Sequence, residues 1–277
     1  MRGDATSFGA TDVDARALAL AVLGSAWLFA FTFLDPLVLA YFRAADPELV
    51  GFWRWATGVG DSGWMMASCA AVGLAAHVAA RGPRPVADAP PARPRRAARA
   101  LRRRALFALG CVAGLGTLAA ILKMTIGRAR PKLAETLGAY HFEPLAFDYK
   151  LNSLPSGHAA TLFALAAALA LIAPRWRPVF YGVALWGAVS RTGAGAHYLS
   201  DVIAGGALGH YVTRALARAA AARDLPVAFA DAPAEGRAAL RAARVLAAAA
   251  ARRATSWIKE APHALHNAVV RRRRADA

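Results

Sequence analysis

The chain has 277 residues, of which 57% are hydrophobic, and its formal net charge is +17. This apolar content excludes an intrinsically disordered protein, and two cysteines, Cys69 and Cys111, are too few for a fold held together by disulfides. The apolar runs are longer than the helices or strands of a soluble core. Two classes remain, a membrane protein with basic loops and a nucleic-acid-binding protein with an unusual core.

Six apolar segments follow one another along the chain and predict membrane-spanning helices. About 20 helical residues, within a range of about 17–25, are needed to cross a bilayer core of roughly 30 Å. The segments cover residues 17–34, 63–80, 105–122, 157–174, 179–190 and 202–212. The last two are short, so a buried helix of a soluble core is the alternative for them. We predict an all-α fold, a polytopic bundle of six transmembrane helices over residues 17–220.

The basic residues predict how this bundle is oriented. Residues 81–104 contain nine arginines and one acidic residue, and residues 221–277 contain eleven basic and five acidic residues. Both segments fall on the same side in a six-span count, together with Arg175 and Arg177, and cytoplasmic loops carry an excess of Lys and Arg. We therefore predict a multi-pass protein of a bacterial-type inner membrane with both termini in the cytoplasm. Nucleic acid is then not needed to explain the charge.

Three segments flank the predicted spans on the cytoplasmic side. Residues 1–16 lack the features of a cleaved signal peptide, so we expect an N-terminal cytoplasmic segment. Five prolines predict that the basic loop 81–104 is extended. The Ala/Arg-rich tail 221–277 carries arginines at helical spacing, which predicts either a helix that contacts anionic lipid or a solvated helix of no special function.

The first of three outward-facing motifs contains cations. Lys123 ends the third span, and Arg128 and Arg130-Pro131 follow it. A cation at the end of a span commonly extends to the membrane interface. These cations, however, lie on the side that the orientation bias leaves poor in Lys and Arg.

The second motif, Pro155-Ser156-Gly157-His158, opens the fourth span. Ser156 suits the N-cap of a helix, and Gly157 allows another group to approach the backbone. The N-terminus of a helix presents free N–H groups and a partial positive charge, so it suits a phosphate.

The third motif joins Ser190-Arg191 to His197 and Asp201 before the sixth span. Residues four apart share one face of a helix, so Asp201 could accept a hydrogen bond from one imidazole nitrogen of His197. The other nitrogen would then be free to act as a nucleophile or a base. A histidine capped by an acid at the interface is the alternative for this motif alone.

Together the three motifs predict an anion site with acid–base groups. They contain several cations, a helix N-terminus and two histidines with different partners, and almost no carboxylates that could bind a metal. This combination suits phosphoryl transfer through a phosphohistidine, and we expect no metal and no cofactor.

The three motifs resemble those of a known family. The pattern K-x6-RP, PSGH and SR-x5-H-x3-D is similar to that of integral-membrane type-2 phosphatidic acid phosphatases, which are related to vanadium haloperoxidases. All three spacings match, over residues 105–212. One position departs from the pattern: Gly193 stands where the family often has an aromatic residue, and we expect it to loosen its loop.

The resemblance implies a role for each matched residue. His197 is the nucleophile, Asp201 orients it, and His158 protonates the leaving group and then activates water. The phosphoryl oxygens are held by the side chains or backbone of five residues: Lys123, Arg130, Ser156, Gly157 and Arg191. The active site then lies at the outer membrane face.

A lipid in the bilayer is the expected partner and substrate, because such a site lies near the headgroups. Candidates are undecaprenyl pyrophosphate, phosphatidate, phosphatidylglycerophosphate and a lipid A phosphate. The sequence thus predicts an integral-membrane lipid phosphate phosphatase. The alternatives are a lipid phosphotransferase that uses the same histidine, and a non-enzymatic basic membrane protein that binds anionic lipid.

Overall fold

The computed structural model describes residues 10–81, 93–223, 225 and 227, with only the backbone for residues 10–16, 93 and 94. These residues form eight α-helices: α1 (Ala10–Phe29), α2 (Asp35–Arg43), α3 (Pro47–Ala56), α4 (Ser62–Arg81), α5 (Arg93–Ile126), α6 (Gly157–Ile172), α7 (Arg177–Gly193) and α8 (Leu199–Ala221). The described residues form no β-strand and contain one isolated bridge, between Arg128 and Phe142. The predicted all-α fold is confirmed.

Each of the six apolar segments predicted from the sequence lies in a helical region. Three stretches are long and apolar enough to cross a membrane by themselves: Ala17–Arg43, Pro47–Arg81 and Arg95–Ile126. The apolar helix Gly157–Ile172 is shorter than these. The apolar helices place the protein in a membrane, and the count of six spans stays a prediction.

The region between the first two predicted spans, residues 35–62, is largely helical. It contains α2, α3 and a short 3-10 helix, Thr57–Gly60. Asp46 caps α3 by accepting a hydrogen bond from Glu48 N at 2.8 Å, and Pro47 follows at the first helical position. Proline suits this position because its missing N–H would have no partner inside the helix. Sequence periodicity missed these helices because each is about ten residues long.

The basic segment 81–104 is not an extended loop throughout. Arg81 ends α4, and residues 93–104 form the first turns of α5. Alanine and arginine are strong helix formers, and Pro94 lies in the first turn, where proline is tolerated. Residues 82–92, most of the tail 221–277 and residues 1–9 lie outside the described residues, so the expectations for them stay predictions.

The described residues divide into two compact units. The first contains those of 10–70 and 106–227, and the second contains those of 71–105. In the second unit, Arg102 Nη1 lies 2.8 Å from His77 Nδ1. The first unit contains every predicted site residue.

The core of the first unit is built around the alanine-rich helix α6. Ala159, Leu162 and Ala166 of α6 pack in one cluster with Ala184 of α7 and Val202 of α8. Small side chains let helices approach closely in an apolar environment. Cys69 and Cys111 of the same unit are both free thiols.

Two glycines bring the backbone of α8 against that of α6. A side chain on Gly209 would collide with Ala160 O and lie 2.9 Å from Ala164 N. A side chain on Gly205 would collide with Ser156 O. Because Ser156 precedes α6 and Gly205 is in the second turn of α8, this contact fixes the N-terminal ends of the two helices side by side.

We predict that Gly209→Ala destabilises the protein. The added methyl group meets backbone atoms, which cannot rotate away, and overpacking of this kind costs about 1–3 kcal/mol. Gly182→Ala on α7 is the matched control, because a side chain there meets nothing within 4 Å. Thermal unfolding of the protein in detergent measures both. Equal midpoints for the two variants would contradict the close α6–α8 contact.

Candidate active site

The three motif segments meet at one place in the fold. Ser156 N donates a hydrogen bond to Asp201 O at 2.9 Å, and Arg130 Nη1 donates to Ala196 O at 3.2 Å. Lys123 Nζ lies 3.5 Å from the position that a side chain on Gly157 would occupy. The charges of Lys123, Arg130 and Arg191 all act on His158. The structure therefore brings together the residues that the sequence analysis selected, from segments up to 78 positions apart in the chain.

The N-terminus of α6 forms one side of the site. Ser156 is its N-cap, and its Oγ accepts a hydrogen bond from Ala159 N at 3.5 Å. The Lys123 ammonium group lies beside the first turn, in ordinary contact distance of the position that a side chain on Gly157 would take. A cation and the free N–H groups of a helix N-terminus together suit an anion.

Arg130 is held in place by backbone carbonyls. Its Nε donates to Tyr149 O at 3.0 Å, its Nη1 to Ala196 O and its Nη2 to Asn152 O, both at 3.2 Å. The guanidinium also stacks on the Tyr149 ring at 3.9 Å. A guanidinium has five N–H donors, so two remain for a bound anion. Arg191 is held by a side chain, because its Nη1 donates a short hydrogen bond to Thr57 Oγ1.

His197 lies in the turn between α7 and α8, and 2% of it is exposed. Gly195 makes this turn possible with a φ of +66°, a conformation that side chains disfavour. Burial, opposed by the nearby Asp201 carboxylate, lowers the pKa of His197 to about 3. The imidazole is therefore neutral at neutral pH, which is the nucleophilic form.

Asp201 acts on His197 across a gap longer than a hydrogen bond. His197 Nδ1 lies 3.7 Å from Asp201 Oδ2, and that nitrogen has no hydrogen-bond partner among the described residues. The expected common helix face is wrong, because α8 begins only at Leu199. Asp201 instead caps α8, and its Oδ2 accepts from Tyr198 N at 3.0 Å and Ser153 Oγ at 2.6 Å. These donors fix the carboxylate beside the imidazole.

Behind Asp201 lies a buried ionic network that the sequence analysis missed. Arg128 Nη1 donates to Asp201 Oδ1 at 2.7 Å, and Arg128 Nη2 donates to Asp35 Oδ2 at 2.8 Å. Asp35 also accepts from Ser200 N at 2.9 Å and from the Ser200 hydroxyl. The side chains of Arg128, Asp35 and Asp201 are all fully buried. The network holds two carboxylates and one guanidinium, so its negative charge favours a positive charge on the neighbouring His197.

Aromatic side chains enclose this network. The Arg128 guanidinium lies 4.0 Å from the Tyr198 ring and 4.8 Å from the Phe31 ring. Phe31 belongs to a π-helical turn, Ala30–Leu34, directly before Asp35. Such turns often occur at functional sites. In the sequence, Asp35 is marked only by its position directly after an apolar span, where a carboxylate often has a function.

His158 lies in the first turn of α6 and packs against the 3-10 helix Thr57–Gly60. A side chain on Gly60 would lie 2.6 Å from His158 Cδ2. Only glycine leaves room for the imidazole in this orientation. No sequence motif marks Gly60, so its role is visible only in the structure.

Gly193 does not loosen its loop as we expected. A side chain there would lie 2.7 Å from ring atoms of Trp53, so the indole of α3 occupies the space beside this glycine. Trp53 also makes an edge contact with Phe42, at 6.4 Å between ring centroids. The aromatic group that the motif lacks in sequence is supplied by a different helix.

The described part of the chain contains no cluster of side chains that could act together as metal ligands. Over the described residues, no three His, Cys, Asp or Glu side chains are grouped so that they could hold a metal ion. The site consists of cations, histidines and one buried carboxylate network.

Parts of the chain are similar to known proteins. Residues 104–224 match the PAP2 superfamily. The chain is 47% identical over 94 residues to proteins named lipid A 1-phosphatase from Rhizobium etli (strain ATCC 51251 / DSM 11541 / JCM 21823 / NBRC 15573 / CFN 42) and Rhizobium johnstonii (strain DSM 114642 / LMG 32736 / 3841). The match covers 34% of this chain, and 40% and 38% of those relatives.

One solved structure is also similar to this chain. It is the crystal structure of a transmembrane PAP2 type phosphatidylglycerolphosphate phosphatase from Bacillus subtilis. The sequence identity is 18% and the TM-score 0.47, over 72% of this chain and 96% of that chain. The segment that matches the PAP2 superfamily, residues 104–224, contains all the predicted site residues.

Proposed function

We propose that the protein is an integral-membrane lipid phosphate phosphatase that works through a phosphohistidine. The observation that carries this proposal is His197, a neutral, buried imidazole beside a negatively charged network and under the influence of the charges of Lys123 and Arg130. A nucleophile needs this neutral form, and a phosphate needs the cations.

The first step forms the phosphohistidine. His197 Nδ1 faces Asp201, so Nε2 is the nitrogen that attacks phosphorus. The bond from phosphorus to the leaving oxygen breaks, its electron pair goes to that oxygen, and His158 supplies the proton. The positive charge that develops on His197 faces the network of Asp35, Arg128 and Asp201, which stabilises it.

The second step releases phosphate. His158, now neutral, takes a proton from water as the water oxygen attacks phosphorus, and the bond from phosphorus to Nε2 breaks. In both steps the phosphoryl oxygens are held by Lys123, Arg191 and the two free donors of Arg130. Positioning and charge stabilisation are the main contributions that a protein makes to phosphoryl transfer.

The substrate that we propose is a phosphomonoester or pyrophosphate of a membrane lipid. The two relatives named lipid A 1-phosphatase favour a lipid A phosphate among the candidates, alongside phosphatidate, phosphatidylglycerophosphate and undecaprenyl pyrophosphate. We further propose that the site opens to the outer face of a bacterial-type inner membrane. The basic segments then lie in the cytoplasm, where the tail 221–277 could contact anionic lipid.

We predict that His197→Ala lowers phosphate release by about three orders of magnitude or more, because loss of the nucleophile removes the covalent route. Phosphate release by the purified protein from a panel of lipid phosphates measures this. His141→Ala is the matched control, since His141 has no part in the site. Wild-type turnover in His197→Ala would contradict the nucleophile assignment.

His158→Ala should slow the reaction in proportion to how poor the leaving group is. A good leaving group such as p-nitrophenolate needs no proton, so phosphoenzyme formation from its phosphate ester should be spared relative to that from an alkyl phosphate. Burst kinetics with both substrates measure the first step separately. Equal damage with the two leaving groups would argue against an acid role.

With phosphatidate as substrate, Asp35→Asn should lower kcat and leave KM nearly unchanged, because Asp35 acts on the reacting phosphate only through Arg128 and Asp201. Loss of a buried hydrogen bond to a charged group costs about 1.5–3 kcal/mol, which is roughly 10–100-fold in rate. Vanadate, which mimics the transition state, should bind the variant more weakly by a similar factor.

Asp46→Asn is the control for Asp35→Asn, since asparagine keeps the N-cap of the exposed helix α3. Steady-state kinetics and vanadate inhibition are measured on both. A raised KM with unchanged kcat would show that Asp35 only maintains the fold of the binding site.

A further inference from the structure

A cavity of about 200 Å³ lies beside the turn that carries His197. Its walls are α2, α3, the chain after Arg130, and residues 192–199. Of the residues assigned above to catalysis or phosphate binding, His197 alone contributes to the lining. The cavity is therefore a neighbour of the phosphate site and not the same pocket.

The cavity carries an excess of positive charge. Arg43, Arg54 and Lys132 line it, and Asp35 is its one acidic lining residue. The charge of Asp35 is already engaged, because its oxygens accept hydrogen bonds from Arg128 and Ser200. The three cations that line the cavity therefore have no free carboxylate inside it with which to pair.

The three cations are also poorly paired elsewhere. The side chains of Arg54 and Lys132 make no hydrogen bond or ion pair with any residue that the structure describes. Arg43 Nη1 lies 3.0 Å from a carboxylate oxygen of Glu135, whose side chain is 76% exposed. Arg43 Nη2 donates a hydrogen bond to Pro131 O at 3.0 Å. An exposed ion pair contributes little and is easily exchanged. An incoming anion would therefore find three cations ready to bind it.

Two buried residues of the lining contain polar atoms that lack a partner in the described part of the chain. They are Thr192 Oγ1 and Tyr198 Oη. The exposed fractions of these residues are 6% and 2%. Buried polar atoms are nearly always hydrogen-bonded in folded proteins, so unpaired ones beside a cavity indicate a polar occupant.

The remaining walls are apolar, formed by Val38, Leu39, Phe42 and Val50. A water molecule takes about 30 Å³ of liquid, so the cavity has room for a phosphate or carboxylate with the atoms that join it to a headgroup. Apolar walls with a cationic rim fit an anionic amphiphile.

We propose that this cavity is a second anion site, which binds a phosphate or carboxylate of the lipid headgroup other than the phosphate being hydrolysed. The proposal rests on the proposed function, and it makes Arg54, Lys132 and Arg43 determinants of substrate choice. Lipids with two separated anionic groups are the preferred substrates of this site.

Two lipids with the same acyl chains test the proposal. Phosphatidate carries only the phosphate to be hydrolysed, whereas phosphatidylglycerophosphate carries a terminal phosphate and a separate phosphodiester. The full-length protein in detergent is assayed as wild type, as Arg54→Gln with Lys132→Gln, and as the control Lys150→Gln. Lys150 is an exposed cation that does not line the cavity.

We expect the double variant to lose about tenfold in kcat/KM for phosphatidylglycerophosphate, mainly through KM, as contacts to a charged group are lost. Activity on phosphatidate should change by less than about twofold, and the control should match the wild type on both lipids. An equal loss on the two lipids, no loss on either, or a wild-type preference for phosphatidate would overturn the second site.

Two further outcomes separate this proposal from others. A wild type that releases phosphate from no lipid phosphate refutes the proposed function itself. Inorganic phosphate, added to the phosphatidate assay, tests for a free anion in the cavity. Stronger inhibition of the wild type than of the double variant, without any selective loss on phosphatidylglycerophosphate, would assign the cavity to free phosphate and overturn the headgroup site.

Discussion

The buried guanidinium of Arg128 between two carboxylates is the interaction on which the site depends. It ties α2, through Asp35, to α8, through Asp201, from a position just after α5. A buried ion pair is expensive to desolvate, and removing one partner leaves an unpaired buried charge, which typically costs 3–5 kcal/mol. The network therefore holds its members in one arrangement, and His197 lies directly beside it.

This arrangement gives one histidine neighbours of opposite charge. The network of Asp35, Arg128 and Asp201 beside His197 is negative, whereas Lys123 and Arg130, whose charges also act on this imidazole, are positive. In the mechanism that we propose, the cations attract the phosphate and the network stabilises the imidazolium that forms during attack. The exposed cations of the neighbouring cavity add further positive charge. Burial strengthens the interactions within the site, because the local dielectric is low there.

Close backbone contact gives the site its second constraint. Gly205 and Gly209 let α8 lie against α6, so that Ser156 N reaches Asp201 O. Gly60 leaves space for the His158 ring, and Gly193 leaves space for Trp53. In each case an absent side chain decides where a functional group or an aromatic wall can lie. The turn that carries His197 is therefore supported from α3, α6 and α8 at once.

The sequence by itself determined the all-α fold and the apolar helices, because helical periodicity and apolar length are local signals. Motif spacing, also a local signal, proposed the eight site residues that the fold brings together. It missed α2 and α3, which are short, and it placed residues 93–104 in a loop although they are helical. Only the tertiary structure decided that Asp35 and Arg128 support Asp201, that Trp53 fills the space at Gly193, and that a cationic cavity adjoins His197. These contacts join residues far apart in the chain, and no local pattern encodes which distant side chains meet when apolar helices pack.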